Sequence, residues 1–154
     1  CMSNVIIKFV KKHEDAKLPT KAHQGDNCFD LYAVEETIIP RSSYGPVDEV
    51  TIGNAVVPVG ITVGYISEGY GFLRPKSGLG FKAGLQPHLG EIDNGYRGDC
   101  GVKMYNFSNK DYTFKKGDKV AQIKIEKIYD TDIQWTNEVE EAQRGDAGFG
   151  SSGK

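Results

Sequence analysis

The sequence predicts an all-β fold: a jelly roll, sandwich or barrel of many short strands. Three observations carry this. Nineteen glycines and six prolines cut 154 residues into short pieces. The pieces are rich in Val, Ile, Tyr, Phe and Thr, side chains that suit a pleated, half-buried surface. No helical period alternates with them, which disfavours a doubly wound α/β sheet.

In chain order, strands are expected over 5–10, 37–39, 49–52, 55–59, 64–67, 71–73, 100–106, 111–114 and 120–129, with turn residues between most of them. In Val120-Ala121-Gln122-Ile123-Lys124-Ile125-Glu126-Lys127-Ile128 the later apolar residues alternate with Lys and Glu at period two, as on a strand with one wet face. Ser108-Asn109-Lys110 and Lys115-Lys116-Gly117-Asp118 supply turn chemistry on either side of 111–114, which makes that stretch a short strand. Only 77–83 reads as briefly helical, so one short helix is expected. From Asn137 the composition turns acidic and then glycine-rich, too polar to fix itself by burial. The expected organisation is one β domain over 2–136 and a flexible C-terminal arm over 137–154.

A chain of this length, 38% hydrophobic and 26% charged, has room for one core. Its formal net charge of -2 gives no global field toward nucleic acid or anionic lipid, so a polyanion would have to meet a local site. No apolar run approaches the roughly twenty residues of a spanning helix, and no signal-peptide pattern opens the chain. The expectation is a soluble intracellular protein with no nucleic-acid or membrane partner. Cys1, Cys28 and Cys100 are odd in number and form neither Cys-x-x-Cys nor metal-ligand spacing, so neither a disulfide framework nor zinc is expected. Cys1 precedes Met2, so Met2 is read as the start and Cys1 is left out of fold reasoning.

Four segments carry chemistry. Gly25-Asp26-Asn27-Cys28-Phe29-Asp30-Leu31-Tyr32-Ala33 holds two carboxylates four residues apart, able to serve a hard cation directly or through water; a polar loop entering a strand explains it equally. Arg74-Pro75-Lys76-Ser77-Gly78-Leu79 joins cations, a hydroxyl and a glycine ahead of a helical turn, which is anion-binding chemistry without Walker A order. In Gly90-Glu91-Ile92-Asp93-Asn94-Gly95-Tyr96-Arg97-Gly98-Asp99-Cys100-Gly101, Asn94-Gly95 signals a hairpin turn and Asp93 precedes it, as a turn stabiliser or as a base. In the tail, glycines let backbone N–H groups approach a phosphate, Arg144 can bind it bidentately and Phe149 can stack on a planar ring; a disordered terminus is the plainer reading.

Together with Gly117-Asp118-Lys119-Val120-Ala121-Gln122, these segments resemble in order and spacing the five motifs of the homotrimeric deoxyuridine triphosphate nucleotidohydrolases, the dUTPases. Motif one resembles 25–33, motif two 76–79, motif three 90–101, motif four 117–122 and motif five 144–153. Two departures stand out: Lys76 replaces the usual Arg before Ser77-Gly78, losing the planar fork, and residues 40–54 are longer than in compact members.

The resemblance implies a jelly-roll fold and Mg²⁺-dependent hydrolysis of dUTP to dUMP and pyrophosphate by water attack on the α-phosphorus, chemistry that rests on positioning and charge neutralisation. It implies Asp93 as the catalytic carboxylate that deprotonates the water, with Gln122 as a helper. Asp30 reaches the metal through its water shell. Lys76, Ser77, Gly78, Arg144, Gly150 and Ser151 hold the phosphates, and Ile92 and Lys103 belong to the nucleotide pocket. Main-chain groups near Gly90 and Gly101 read uracil, Tyr96 packs on the sugar where a ribose 2′-hydroxyl would sit, and Phe149 stacks on the base. Each site is built by three chains: motifs one, two and four from one, motif three from another, motif five from the third. The related dCTP deaminases share the fold but lack the Gly-Phe-Gly tail. Residues 40–54 leave room for a regulatory protein partner.

Overall fold

The computed structural model describes residues 4–73, 83–142 and 145–146. Among them are thirteen strands: β1 (Ile7–Lys11), β2 (Phe29–Tyr32), β3 (Thr37–Ile39), β4 (Ser43–Tyr44), β5 (Val50–Thr51), β6 (Gly53–Val57), β7 (Ile61–Ile66), β8 (Tyr70–Leu73), β9 (Leu85–Pro87), β10 (Glu91–Ile92), β11 (Val102–Asn106), β12 (Tyr112–Phe114) and β13 (Lys119–Lys127). Every named pairing is antiparallel. The sheets run β1-β7, β10-β8-β13-β2, β6-β11-β9, β12-β3 and β4-β5. The all-β jelly-roll expectation is met, and each of the nine expected strands is present, 37–39 with the expected bounds and the other eight with shifted ends. The expected helix at 77–83 lies outside the described residues except for Ala83.

One contiguous core holds the sheets together. Phe114, Leu31, Ile39, Leu85, Met104, Val57, Val63, Val102 and Val120 are each under 2–3% exposed, and each large apolar side chain so buried stabilises the fold by about 1.5–3 kcal/mol relative to exposure. β11 alternates as a one-sided strand should, with Val102, Met104 and Asn106 inward and Lys103 exposed. Asn106 is fully buried yet fully satisfied: its amide donates to Ile39 O (3.0 Å) and Lys110 O (2.8 Å), and its Oδ1 accepts from Ser108 N and Oγ.

Residues 40–54 form a hairpin rather than a loose loop. β4 and β5 pair, Tyr44 Oη donates to Phe107 O (2.7 Å), and buried Ser42 Oγ donates to Asn106 O and accepts from Gly53 N (3.0 Å). Gly53 is required there, because a Cβ would strike the Pro40 and Arg41 backbone. Asp15 bonds Lys116 (2.7 Å), tying the turn after β1 to the turn before β13. The Lys116 ammonium holds the Asp15 carboxyl below its usual value, and Asp15 in turn raises Lys116.

Candidate active site

Asp93 hangs from the end of β10. β10 pairs with β8, Ile92 opposite Phe72, and Ile92 is buried while Asp93 is exposed in a turn closed by Tyr96 N donating to Asp93 O (3.0 Å). Neither Asn94 nor Gly95 has a positive φ, so the turn is not the type I′ hairpin that this dipeptide favours. Asn94 is instead held by tertiary bonds: its amide donates to Ser67 O (3.0 Å) and Tyr70 O (2.9 Å), fastening the turn to the β7–β8 connection. Arg97 folds back onto Asn94 O (2.6 Å) and Tyr96 O (2.9 Å), and Thr62 Oγ1 of β7 donates to Arg97 O (2.7 Å) and to Gly98 O. Asp93 is thus an exposed carboxylate on a turn fastened at several points.

Tyr96 is placed by the same turn. Its hydroxyl donates to Asp99 O (3.0 Å) and its ring lies against Gly98, where a Cβ would sit 2.6 Å from ring atom Cζ. Nearby, Gly101 lies beside Val56, whose Cγ1 would be 3.1 Å from an added Cβ, and Gly90 has open space. Lys103 projects from β11 on the solvent side, 5.6 Å from the Tyr105 ring centroid, and its carbonyl accepts from His88 N (2.8 Å).

Asp30 belongs to a second cluster. It lies on β2, 8% exposed, directly opposite Gln122 of β13. Gln122 Nε2 reaches Asp30 Oδ1 at 3.4 Å and Lys119 Nζ reaches Oδ2 at 3.2 Å. Lys119 and Gln122 are three apart, so a regular strand would put them on opposite faces. An irregularity between Lys119 and Ala121 inserts one residue, setting Lys119 opposite Tyr32 and Gln122 opposite Asp30. Val120 and Ala121 are consequently both buried, which breaks the alternation at that point.

Asp30 fits a hydrated cation rather than a direct metal bond. Each of its oxygens already faces one donor and keeps a lone pair, and among the described residues no three His, Cys, Asp or Glu side chains gather. Such a carboxylate can accept from a metal-bound water.

Within one chain the two clusters are far apart. β10 and β2 are opposite edges of the β10-β8-β13-β2 sheet. Asp93 follows Ile92, which shares the level of Phe72 and Ile125, while Asp30 sits at Gln122. Three strand spacings across and about four residues along put the carboxylates on the order of 20 Å apart. The structure therefore gathers Asp30, Gln122 and Lys119 at one place and Ile92, Asp93 and Tyr96 at another. Lys76, Ser77, Gly78, Arg144, Phe149, Gly150 and Ser151 lie outside the described residues. Sequence reasoning gave no role to Lys119 or Gly98 and read Asn94 only as a hairpin-turn residue; the broken alternation at Val120-Ala121 was the available signal for the first.

Past β13 the described residues up to 142 are all exposed. Ile133, Trp135 and Val139 are 89%, 102% and 99% exposed, an apolar series left bare among the described residues. No helix among the described residues is long and apolar enough to cross a membrane.

Comparison with known proteins gives one consistent result. A family model described as dUTPase matches residues 14–153. The deoxyuridine 5'-triphosphate nucleotidohydrolase of Kluyveromyces lactis is 39% identical over 149 residues, 96% of this chain and 94% of the relative. That of Saccharomyces cerevisiae is 37% identical over 98% of this chain and 97% of its own, and that of Paramecium bursaria Chlorella virus 1 is 34% identical over 99% of each. Among solved structures, the Staphylococcus bacteriophage 80alpha dUTPase with dUpNHpp superposes with a TM-score of 0.77 at 24% identity, covering 97% of this chain and 99% of that one. A mutant dUTPase of phage phi11, studied for its coordination of a structural Mg(II) ion, gives 0.71 at 22% identity over 86% and 97%. At these identities the structural likeness speaks for the fold alone.

Proposed function

The chain belongs to the dUTPase family and is a dUTP diphosphatase, hydrolysing dUTP to dUMP and pyrophosphate, and we propose that Asp93 is its general base and that its site is shared between chains. Asp93 would orient the attacking water and take its proton as the oxygen closes on the α-phosphorus, from a turn that cannot drift. Main-chain groups near Gly90 and Gly101 would read the uracil edge; cytosine, with donor and acceptor reversed, would leave them unpaired, a large penalty in a closed pocket. Tyr96 would occupy the space a ribose 2′-hydroxyl needs, with Ile92 and Lys103 completing the pocket.

Lys76, Ser77, Gly78, Arg144, Gly150 and Ser151 would hold the phosphates, and Phe149 would cover the base and exclude water. Mg²⁺, where bound with the nucleotide, would supply charge neutralisation at the phosphates. Asp30 would accept hydrogen bonds from its water shell, and Gln122 would hold Asp30 in line.

The observation that carries the shared site is the separation of Asp93 from Asp30. A general base works with its oxygen within about 2.6–3.2 Å of the oxygen it deprotonates, and an ion neutralising the same triphosphate would sit beside it, so one nucleotide would not reach both carboxylates of one chain. A closed cyclic trimer with Asp30 from one chain and Asp93 from another removes the conflict. The exposed Ile133, Trp135 and Val139 support the same reading, since an arm with apolar residues bare to water calls for a neighbouring chain to cover them.

The test of the activity is pyrophosphate release across dUTP, dTTP, dCTP and UTP with Mg²⁺. Release from dUTP alone is expected. Comparable release from UTP or dTTP would contradict the reading of the pocket, and ammonia release from dCTP would point to deamination.

A further inference from the structure

Resting on that reading of Asp30, we propose that Lys119 is a positioning residue: it serves as a built-in counter-ion for Asp30, and its ammonium competes with the hydrated magnesium of the nucleotide for this carboxylate.

The argument begins with the irregular register of β13. The residue inserted between Lys119 and Ala121 turns Lys119 onto the face that carries Asp30 and Gln122. Bulges next to functional sites commonly re-aim one side chain in this way. The Asp30 side chain is only 12% exposed, whereas that of Lys119 is 58% exposed, and the two approach to 3.2 Å. A carboxylate so enclosed is costly without a cation near it, and Lys119 supplies that cation when no nucleotide is bound. A lysine suits the task because it is a point charge on a flexible stem. It compensates Asp30 without the two-pronged lock an arginine would make, and its exposed stem can carry the ammonium into water. When the triphosphate delivers a divalent ion to the same carboxylate, two cations compete for one anion and Lys119 is the one free to leave. Gln122, neutral and on the other oxygen at 3.4 Å, keeps Asp30 aimed throughout.

The test measures binding of the nonhydrolysable analogue dUpNHpp by calorimetry at increasing Mg²⁺. Lys119→Gln should lower the half-saturating Mg²⁺ about fivefold, the scale of one exposed ion pair. Lys119→Arg should leave it unchanged or raise it. In an Asp30→Asn background Lys119→Gln should have no effect, because nothing is left to compete for. An unchanged or raised Mg²⁺ requirement in Lys119→Gln overturns the proposal, and so does a fivefold drop that persists with Asp30→Asn. Equal weakening of analogue binding at every Mg²⁺ concentration would make Lys119 a phosphate contact instead. If the parent protein binds dUpNHpp with no dependence on Mg²⁺, the reading of Asp30 itself falls; if the parent shows the dependence and Lys119→Gln leaves it alone, only the role of Lys119 falls.

Discussion

Gly98→Ala should cost the enzyme its discrimination against ribose while sparing most of its stability. The added Cβ would lie 2.6 Å from Tyr96 Cζ, where ordinary contact begins near 3.4 Å, so the ring must retreat by about 1 Å. Retreat strains the bond from Tyr96 Oη to Asp99 O, now 3.0 Å, and losing one such bond at an exposed site costs about 1 kcal/mol. The turn itself survives, because Asn94 and Thr62 hold it through bonds that do not involve the Tyr96 side chain. Space for one hydroxyl in a pocket is worth about 1–3 kcal/mol, or 10- to 200-fold in specificity. The ratio of kcat/KM for dUTP over UTP should therefore fall at least about tenfold, mainly through faster UTP hydrolysis, with a small drop in Tm. Steady-state pyrophosphate release with both nucleotides measures it. An unchanged ratio in a folded Gly98→Ala protein would show that the Tyr96 ring is not what excludes the 2′-hydroxyl.

Asp93→Asn should keep the fold and analogue binding but lose about 10²- to 10⁴-fold in kcat, the usual cost of removing a general base; single-turnover kinetics within a few-fold of the parent would remove Asp93 from that role. Truncation after Glu141 should leave Tm nearly unchanged, since the last strand among the described residues ends at Lys127, yet cut turnover severely; near-parental turnover would mean that the tail takes no part in the site. The tie between Asp15 and Lys116 has a definite pH signature. Asp15 titrates below its usual value when folded, so the pair contributes stability above the unfolded carboxylate value and loses it as pH falls through the folded one. Lys116 is raised, so its share persists to neutral pH and is lost as pH rises through the lysine range. Calorimetric Tm of Asp15→Asn should lie slightly below the parent at neutral pH and meet it in acid; a gap that stays constant into acid would contradict the assignment.

Legibility followed burial pattern and strand length. β3, β12 and the later part of β13 were readable because turn residues bracket them or apolar and charged residues alternate. β2 was hidden because its two central residues, Asp30 and Leu31, are both buried, so no alternation shows. β4 and β10 are two residues long, below any periodicity, and β9 ends on Pro87. The site was readable as motifs, since glycines, carboxylates and their spacing survive in the linear sequence. What did not survive is register: the inserted residue at Val120 that brings Lys119 to Asp30 arises from a pairing 92 residues apart, and the strand order that sends Asp30 and Asp93 to opposite edges adds the long-range pairings of β8 with β13 and β10.

The central claim, that one nucleotide meets Asp30 and Asp93 from different chains, is tested most directly by mixing two defective proteins. Asp30→Asn and Asp93→Asn chains, each nearly inactive alone, are unfolded together in equal amounts and refolded. Random cyclic assembly makes about three quarters of the trimers mixed, and each mixed trimer holds one site with both carboxylates intact, about a quarter of all sites. Pyrophosphate release near a quarter of the parental rate is the predicted result. Release that stays at the summed background of the two pure variants, with mixed trimers verified by mass, would mean that a single chain supplies both groups.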